Sequence, residues 1–478
     1  MKNTTSNYPI AQRPLATELL NRAFRAWTGA ADFRSRRERY KRYTYGRQWD
    51  DIVTYPNGTS VTELDLARQN GKQPLTNNLI RRLVKSVVGK FRSGLADEEA
   101  ESEALAALSR ANALPELDSR LLEEFLISGV AVQHISVDSG GLRVDNVNPT
   151  QFFVNPSLDP RGNDIEFIGS FADVSLTEVL RRFAKGDRNR ARRLREIFTL
   201  AEPLSVRDEF GMSIVDDDSF FHPADGRCRI YEIWSLEGVE RLRCHDPLTG
   251  DYYAMPVGGE AALVRENRRR EKAGRPAVNF KWEVAQEWRC RFVSPSGALL
   301  DEYAAPAEHN THPYVVKFYP LTDGEVHSFV EDVIDQQRYV NRLITLIDHV
   351  MSSSAKGVLL FPEDQKSQRQ SWEEVARAWA TYNGVIVYRP KANMPTPQQV
   401  VTNASNIGAY DLLALEMKLF EDITGVTDAL RGKEAQAGAS ATLYRQQTQN
   451  AITALADIFE TFKSLRATRD AKALAMSR

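Results

Sequence analysis

Glu325-Val-His-Ser-Phe-Val-Glu-Asp-Val-Ile-Asp-Gln-Gln-Arg-Tyr-Val-Asn-Arg-Leu-Ile-Thr-Leu-Ile-Asp-His-Val-Met351 places Val330, Val333, Ile334, Val340, Ile344, Ile347 and Met351 at three- and four-residue steps. That repeat predicts one apolar stripe on a helix of about seven turns. Downstream, residues 355–403 hold two short β-type runs, Gly357-Val-Leu-Leu-Phe361 and Gly384-Val-Ile-Val-Tyr388. Between them a helix is expected from Ser371 to Tyr382, with Glu373 and Glu374 in its first turn, where the helix dipole favours acids. A second long helix is expected over 406–424, with Ile407, Tyr410, Leu413, Met417, Phe420 and Ile423 on one side. Residues 425–438 contain Gly425, Gly432 and Gly438 and no apolar periodicity, so they read as a loop. A helix restarts at Ala439 and carries Ile458, Phe462 and Leu465 towards the C-terminus.

Working outward, residues 15–49 are expected to be mainly helical, with a basic patch from Arg34 to Arg42, and further helices are expected over 77–94 and 119–128. Short β runs follow at 130–137, 142–147 and 152–154. Ser175 then opens a helix with Glu178 at the capping-box position. Strand signals return at 229–235, 284–293 and 314–319, while 202–227 and 255–280 read as irregular loops or insertions. The fold class is therefore α+β, with residues 1–321 as an α/β outer domain.

At 478 residues the chain exceeds one ordinary core and suggests two to four units on the usual prior of ~100–200 residues each. No apolar run approaches the ~20 residues that span a bilayer, and the N-terminal segment lacks the apolar core of a secretion signal. Folding in the cytoplasm, without a membrane partner, is the expectation. Cys228, Cys244 and Cys290 are an odd set without paired Cys-x-x-Cys spacing. They read as reduced thiols rather than disulfides or, with His245, a zinc site.

Catalytic patterns are weak. Gly89-Lys90 is followed by Phe91 and lacks the upstream glycine of a phosphate-binding loop, and neither His-Glu-x-x-His nor Gly-x-Ser-x-Gly occurs. Asp216-Asp-Asp218 could hold a hard cation, which keeps a metal-dependent DNA-processing enzyme as an alternative, although adjacent acids before Phe220 and Phe221 also suit a solvated turn. No catalytic residue, metal or cofactor is expected.

The order of helix, small insert, helix, loop and helix resembles the portal, or head-to-tail connector, protein of tailed bacteriophages. Other stretches are similar to that family in the same order: Tyr43-Thr-Tyr-Gly-Arg-Gln-Trp-Asp-Asp51, Pro74 to Gly89, Leu126-Ile-Ser-Gly-Val-Ala-Val132, Val147-Asn-Pro-Thr-Gln-Phe-Phe-Val-Asn-Pro156 and Ile230-Tyr-Glu-Ile-Trp234. Gly425-Val and Gly438-Ala-Ser-Ala441 resemble the elements bordering the family's tunnel loop, with Ala441 where a glycine is usual. The resemblance implies a wing (1–321), a first stem helix (322–354), a clip (355–402), a second stem helix (403–424), a tunnel loop (425–439) and a C-terminal wing helix (440–478). Few residues follow Leu465, so the helical crown of many portals is expected to be short or absent.

It further implies a non-enzymatic homo-oligomeric ring of about twelve subunits at one capsid vertex of a virion. Major capsid and scaffolding proteins, the terminase motor and then a neck or tail adaptor would be its partners, and double-stranded DNA would pass through its channel during packaging and ejection. Another head-to-tail adaptor protein is a second alternative, although it would be expected to be shorter and to lack this order of parts.

A net charge of −2 excludes a generally basic nucleic-acid binder, so DNA contact must be local. Residues 322–354 carry six acids (Asp323, Glu325, Glu331, Asp332, Asp335 and Asp348) against Arg338 and Arg342, and 403–430 carry five acids (Asp411, Glu416, Glu421, Asp422 and Asp428) against Lys418. Were both helices to line a channel, rings of Glu331, Asp335, Glu416 and Glu421 would repel duplex phosphates and let DNA slide; otherwise these acids solvate outer faces. Arg431 and Lys433, on a loop hinged at Gly425, Gly432 and Gly438, reverse the sign and are candidates for sequence-independent phosphate contact. Two basic runs, 181–195 and 265–275, lack the interleaved aromatics of a single-strand binder. The first is expected to form wing helices whose polar sides make subunit contacts or face solvent.

Overall fold

Describing residues 13–95, 102–138, 141–200, 218–223, 226–306, 309–354, 358–380, 385–391, 394–400, 408–426, 449 and 452–476, the computed structural model has a mixed helix and sheet architecture compatible with the α+β expectation. Helices α1 (Arg13–Gly29) and α2 (Ala31–Thr44) lead to a hairpin of β1 (Ile52–Thr54) and β2 (Ser60–Thr62). After it come α3 (Glu63–Gln69), α4 (Leu79–Leu95), α5 (Glu103–Asn112) and α6 (Leu114–Ser128). Strands β3 (Val130–Asp138), β4 (Gly141–Asn146), β5 (Phe152–Val154) and β6 (Phe167–Val174) precede α7 (Leu176–Phe183) and α8 (Arg188–Thr199). The long β7 (Cys228–His245) is followed by β8 (Tyr252–Pro256), α9 (Glu260–Lys272), β9 (Asn279–Val293), β10 (Leu299–Ala304) and β11 (Tyr314–Phe318). A second hairpin, β12 (Leu321–Thr322) and β13 (Glu325–Val326), precedes α10 (Ile334–Ser354). The remaining elements are β14 (Val358–Leu360), α11 (Trp372–Ala380), β15 (Gln398–Val400), α12 (Ala409–Thr424) and α13 (Ala456–Met476).

Two antiparallel sheets organise the outer part. The larger runs β10-β9-β7-β6-β5, with β8 added on the distal half of β7, and the smaller runs β11-β3-β4. One core packs Val132, Tyr314, Ile168, Trp234 and Phe292 with Val179, Phe183 and Leu194 of α7 and α8. A second sets α1 (Leu20, Phe24, Trp27) on Phe153, Phe167 and Phe171, and Phe220 and Phe221 return into it. The third joins α2, α4 and α6 to Val330, Val333 and Ile334, to Phe420 of α12 and to Ile458, Phe462 and Leu465 of α13. That last cluster joins α2, α4 and α6 to α10, α12 and α13.

The motif around Gly129 gains a reason here. Gly129 ends α6 with φ +74°, and an added Cβ would lie 2.1 Å from the carbonyl oxygen of His327 and 2.7 Å from that of Tyr319. Backbone from the β12–β13 hairpin occupies the space where any side chain would go, so only glycine fits.

Several elements differ from expectation. The first long helix starts at Ile334, not Glu325. Asp323 (φ +52°) and Gly324 (φ +82°) form the two-residue turn of β12–β13, an Asp-Gly hairpin signal that outweighs the apolar repeat. Ser328 and Glu331 then exchange bonds, the Glu331 amide donating to Ser328 Oγ (2.9 Å) and the Ser328 amide to Glu331 Oε2 (3.2 Å), which opens a 3-10 turn before α10. In the insert, β14 and α11 form as expected, but Val385 to Val387 are not a strand; β14 pairs with β15 instead, Val358 opposite Val400. Within 255–280, α9 replaces the expected loop. Leu263 anchors it, and Glu266 pairs with Arg269 and Arg270, both 3.4 Å away, so ion pairs support a helix that apolar periodicity does not reveal. Ser175 caps α7 as expected, accepting from the Glu178 amide at 3.2 Å.

Candidate functional site

Helices α10 and α12 run antiparallel. The Tyr410 hydroxyl at the start of α12 lies 3.2 Å from Met351 Sδ near the end of α10, and the end of α12 packs against the 3-10 turn Glu331–Val333. Gly408 and Gly425, both left-handed, bound α12.

Beside its apolar stripe α10 buries a polar one. Gln337, Asn341 and Thr345, spaced four residues apart, are at most 2% exposed. Gln337 Oε1 accepts from the amides of Leu79 (2.8 Å) and Ile80 (3.2 Å), the first amides of α4, and its Nε2 donates to the Asn77 carbonyl at 2.7 Å. Asn341 Oδ1 accepts from the Asn77 amide (2.9 Å), and Thr345 Oγ1 from the Leu75 amide (3.0 Å). Gln48 completes the network: it accepts from Asn341 and donates to the Tyr43 carbonyl (2.8 Å) and to Asn78 Oδ1 (3.1 Å). Two of the stretches that resemble the portal family, around Tyr43–Asp51 and Pro74–Gly89, thus meet on α10. The four-residue spacing of amide and hydroxyl side chains at 337, 341 and 345 was the available signal, and a search for apolar periodicity passes over it.

The acids are distributed unevenly. Asp323 and Glu325 lie in the hairpin, and Glu331 is held by Ser328, by Arg36 (3.7 Å) and by His327 (3.5 Å). On α10 itself Asp335 is open, its side chain 87% exposed and 3.8 Å from Arg338, and Asp348 is exposed. Arg338 and Arg342, which weighed against the acids in the sequence, both reach the buried Glu63 of α3, Arg342 at 3.0 Å. On α12 Asp411 and Asp422 are exposed with Lys418, while Glu416 and Glu421 are half-buried.

Leu412, Leu415, Leu419 and Ile423 recur at three- and four-residue steps along α12, between 38% and 49% exposed. Phe420 and Thr424, on the adjoining face, are buried. The helix therefore has one face covered within the chain and a second apolar face that the described residues leave half-exposed.

At its end Gly425 (φ +64°) packs so closely that an added Cβ would come within 2.6 Å of Ala454 Cβ. Val426 and Leu455 are both fully buried in the core that holds Phe420 and Ile458. Both flanks of residues 427–448 are therefore anchored at one apolar node. Arg431, Gly432, Lys433 and Gly438 lie outside the described residues, as do Asp216 and Asp217.

Cys228, Cys244 and Cys290 are free and buried in β7 and β9. Among the described residues no group of three His, Cys, Asp or Glu side chains is placed to hold a metal ion, and no helix is long and apolar enough to cross a membrane. A search of curated proteins returned no match. The family model for phage P22-like portal proteins matches residues 20–474, from α1 through α13 and so including every element of the site. The chain belongs to the phage P22-like portal protein family.

Proposed function

We propose that about twelve copies of this chain close into a ring at one vertex of a phage capsid, around a channel through which double-stranded DNA is packaged and later ejected. The observation that carries this reading is the uncovered stripe Leu412, Leu415, Leu419 and Ile423 on α12. A neighbouring subunit seated on it would remove half-exposed apolar side chains from water, worth about 1 kcal/mol each. In this arrangement residues 322–354 and 403–424 are the stem, 355–402 the clip that docks the terminase motor and then the neck or tail adaptor, and 1–321 the wing, which meets the major capsid and scaffolding proteins. The protein is a structural component of the virion, and catalysis of packaging resides in the motor.

Within the channel Asp335, Glu416 and Glu421 supply like charge that keeps phosphates from sticking, with Glu331 at the upper end of the stem. Arg431 and Lys433, between flanks anchored at Val426 and Leu455, provide the phosphate contact; Gly425 sits at the packed base of the segment, and Gly432 and Gly438 within it let it move. Native mass spectrometry with negative-stain class averages tests the ring: a closed assembly near twelve subunits with a central hole is expected. A chain that stays monomeric or dimeric with scaffolding protein present would overturn the reading. The double variant Arg431→Ala, Lys433→Ala is expected to assemble normally but to package or retain less DNA; normal genome length and retention would remove the loop's role.

A further inference from the structure

The basic run 181–195 divides cleanly when its ion pairs are traced. Arg181 pairs with Glu178 (2.6 Å), Arg182 faces Glu232 (3.7 Å), and Lys185 (2.8 Å) and Arg190 (3.5 Å) both reach Asp301. These four are accounted for by the fold of the wing. The other four, Arg188, Arg192, Arg193 and Arg195, are exposed on α8 and have no carboxylate partner among the described residues. Leu194 is buried against the sheet, with Ala191, Ile197 and Phe198 packed beside it, which fixes which side of the helix faces out. Arg188, Arg192 and Arg195, at steps of four and three, then form one outward stripe with Arg193 beside it.

Helix stability does not account for this choice of residues. Arg188 and Arg192 are like charges one turn apart, an arrangement that weakens a helix, and Arg188 lies in the first turn, where the dipole favours acids. In α9 Glu266 and Asp246 neutralise Arg269 and Arg270, two of its five basic residues. Arginine offers planar, bidentate donors that match phosphate. The outward stripe holds no aromatic on which a base could stack and no apolar anchor of the kind a docked peptide buries. A surface that is all guanidinium contacts a phosphate backbone without reading bases.

We infer that the outer face of α8 is a second, sequence-independent site for duplex DNA, on the wing and separate from the loop around Lys433. The inference does not depend on ring closure, so it can be tested in whatever assembly state the full chain adopts.

The measurement is fluorescence anisotropy of a random-sequence 30-base-pair duplex titrated with the full-length protein over a series of salt concentrations. Three variants are compared: all four arginines changed to Gln, all four changed to Lys, and Arg431→Ala with Lys433→Ala. Loss of four phosphate contacts predicts that the Gln variant binds at least tenfold more weakly in moderate salt, with a log–log salt slope shallower by about 3 to 4. The Lys variant should keep the wild-type slope, and the loop variant should keep the α8 contribution. A Gln variant with wild-type affinity and slope would overturn the site. So would a Gln variant that binds DNA normally but no longer binds poly-glutamate, because the face would then be a dock for an acidic protein segment. A Gln pair at Arg188 and Arg192 alone, expected to lose about half the slope change, covers the case in which the fourfold variant folds poorly.

Discussion

Beside its apolar stripe α10 carries Gln337, Asn341 and Thr345, each bonded to backbone of residues 75–80, whereas α12 turns Leu412, Leu415, Leu419 and Ile423 outward with no cover. The two helices are neighbours, yet their unpaired faces obey opposite rules. A buried amide must find its partners inside the chain, because an unmet donor or acceptor costs more than the bond contributes. An exposed leucine can wait for a partner, because water tolerates it at modest cost. The difference separates what holds a subunit together from what is available to hold subunits to one another.

Breaking the outward side should have the largest effect on assembly and the least on the subunit. Leu415→Asp with Leu419→Asp is expected to abolish ring formation, read by native mass spectrometry, while the monomer melts within a few degrees of wild type. A ring that still closes would show that the stripe is not the contact. Breaking the inward side should do the reverse. Gln337→Ala leaves the Leu79 and Ile80 amides at the start of α4 without their acceptor and should cost about 3 kcal/mol in chemical denaturation, before any question of assembly arises.

The same contrast explains how much could be read from the residues. Both long helices are legible because their apolar spacing reports burial, and the insert's helix because Glu373 and Glu374 stand in its first turn. The repeat places the start of α10 nine residues early because Val330 and Val333, buried from a 3-10 turn rather than an α-helix, fit its spacing, while Asp323-Gly324 encodes the hairpin turn. Helix α9, held by ion pairs, and the polar stripe on α10 carry no apolar period at all. The outward apolar face was partly hidden too: Tyr410, Met417 and Ile423, grouped with Phe420 by spacing, are exposed in the single chain. Spacing identifies an apolar face but does not say whether its cover lies in the same chain.

Neither stripe titrates, so acid tests the interior of the subunit elsewhere, at Glu232 of β7. On β7 the half-buried Glu232 accepts from Trp234 (2.9 Å), faces His134 (2.9 Å) and lies near Arg182. Burial pushes its carboxyl up, but His134, Trp234 and Arg182 outweigh that and hold it at about 2, against an ordinary value of 4.5. The folded chain thus binds fewer protons than the unfolded chain between those values. Its stabilising contribution, no more than about 3 kcal/mol, is complete above pH 4.5 and drains away as the pH falls towards 2. Thermal melts at pH 6 and pH 3 should show wild type losing more on acidification than Glu232→Gln. Equal losses would mean the contacts do not act on the carboxylate as described. The stripe on α12 has no titratable group, so an assembly that uses it should persist in acid until the subunit itself unfolds.

Where the two sides meet, at the end of α12, the smallest of these effects is expected. Gly425 is left-handed, and a Cβ there would press on Ala454 at 2.6 Å, so Gly425→Ala combines two costs. The backbone term is about 1 kcal/mol, the usual penalty for an L-residue in this region. A steric term of similar size follows from the contact with a core that also holds Phe420, Val426 and Leu455. The variant should therefore lose about 2 kcal/mol, and adding Ala454→Gly should recover about half of it, leaving the backbone term. Recovery of that half in a double-mutant cycle would show that Gly425 and Ala454 pack as one node beside residues 427–448. Strictly additive losses would mean the helix end and the start of α13 move independently. In that case a change at residues 427–448 could not be passed to α13 through this contact.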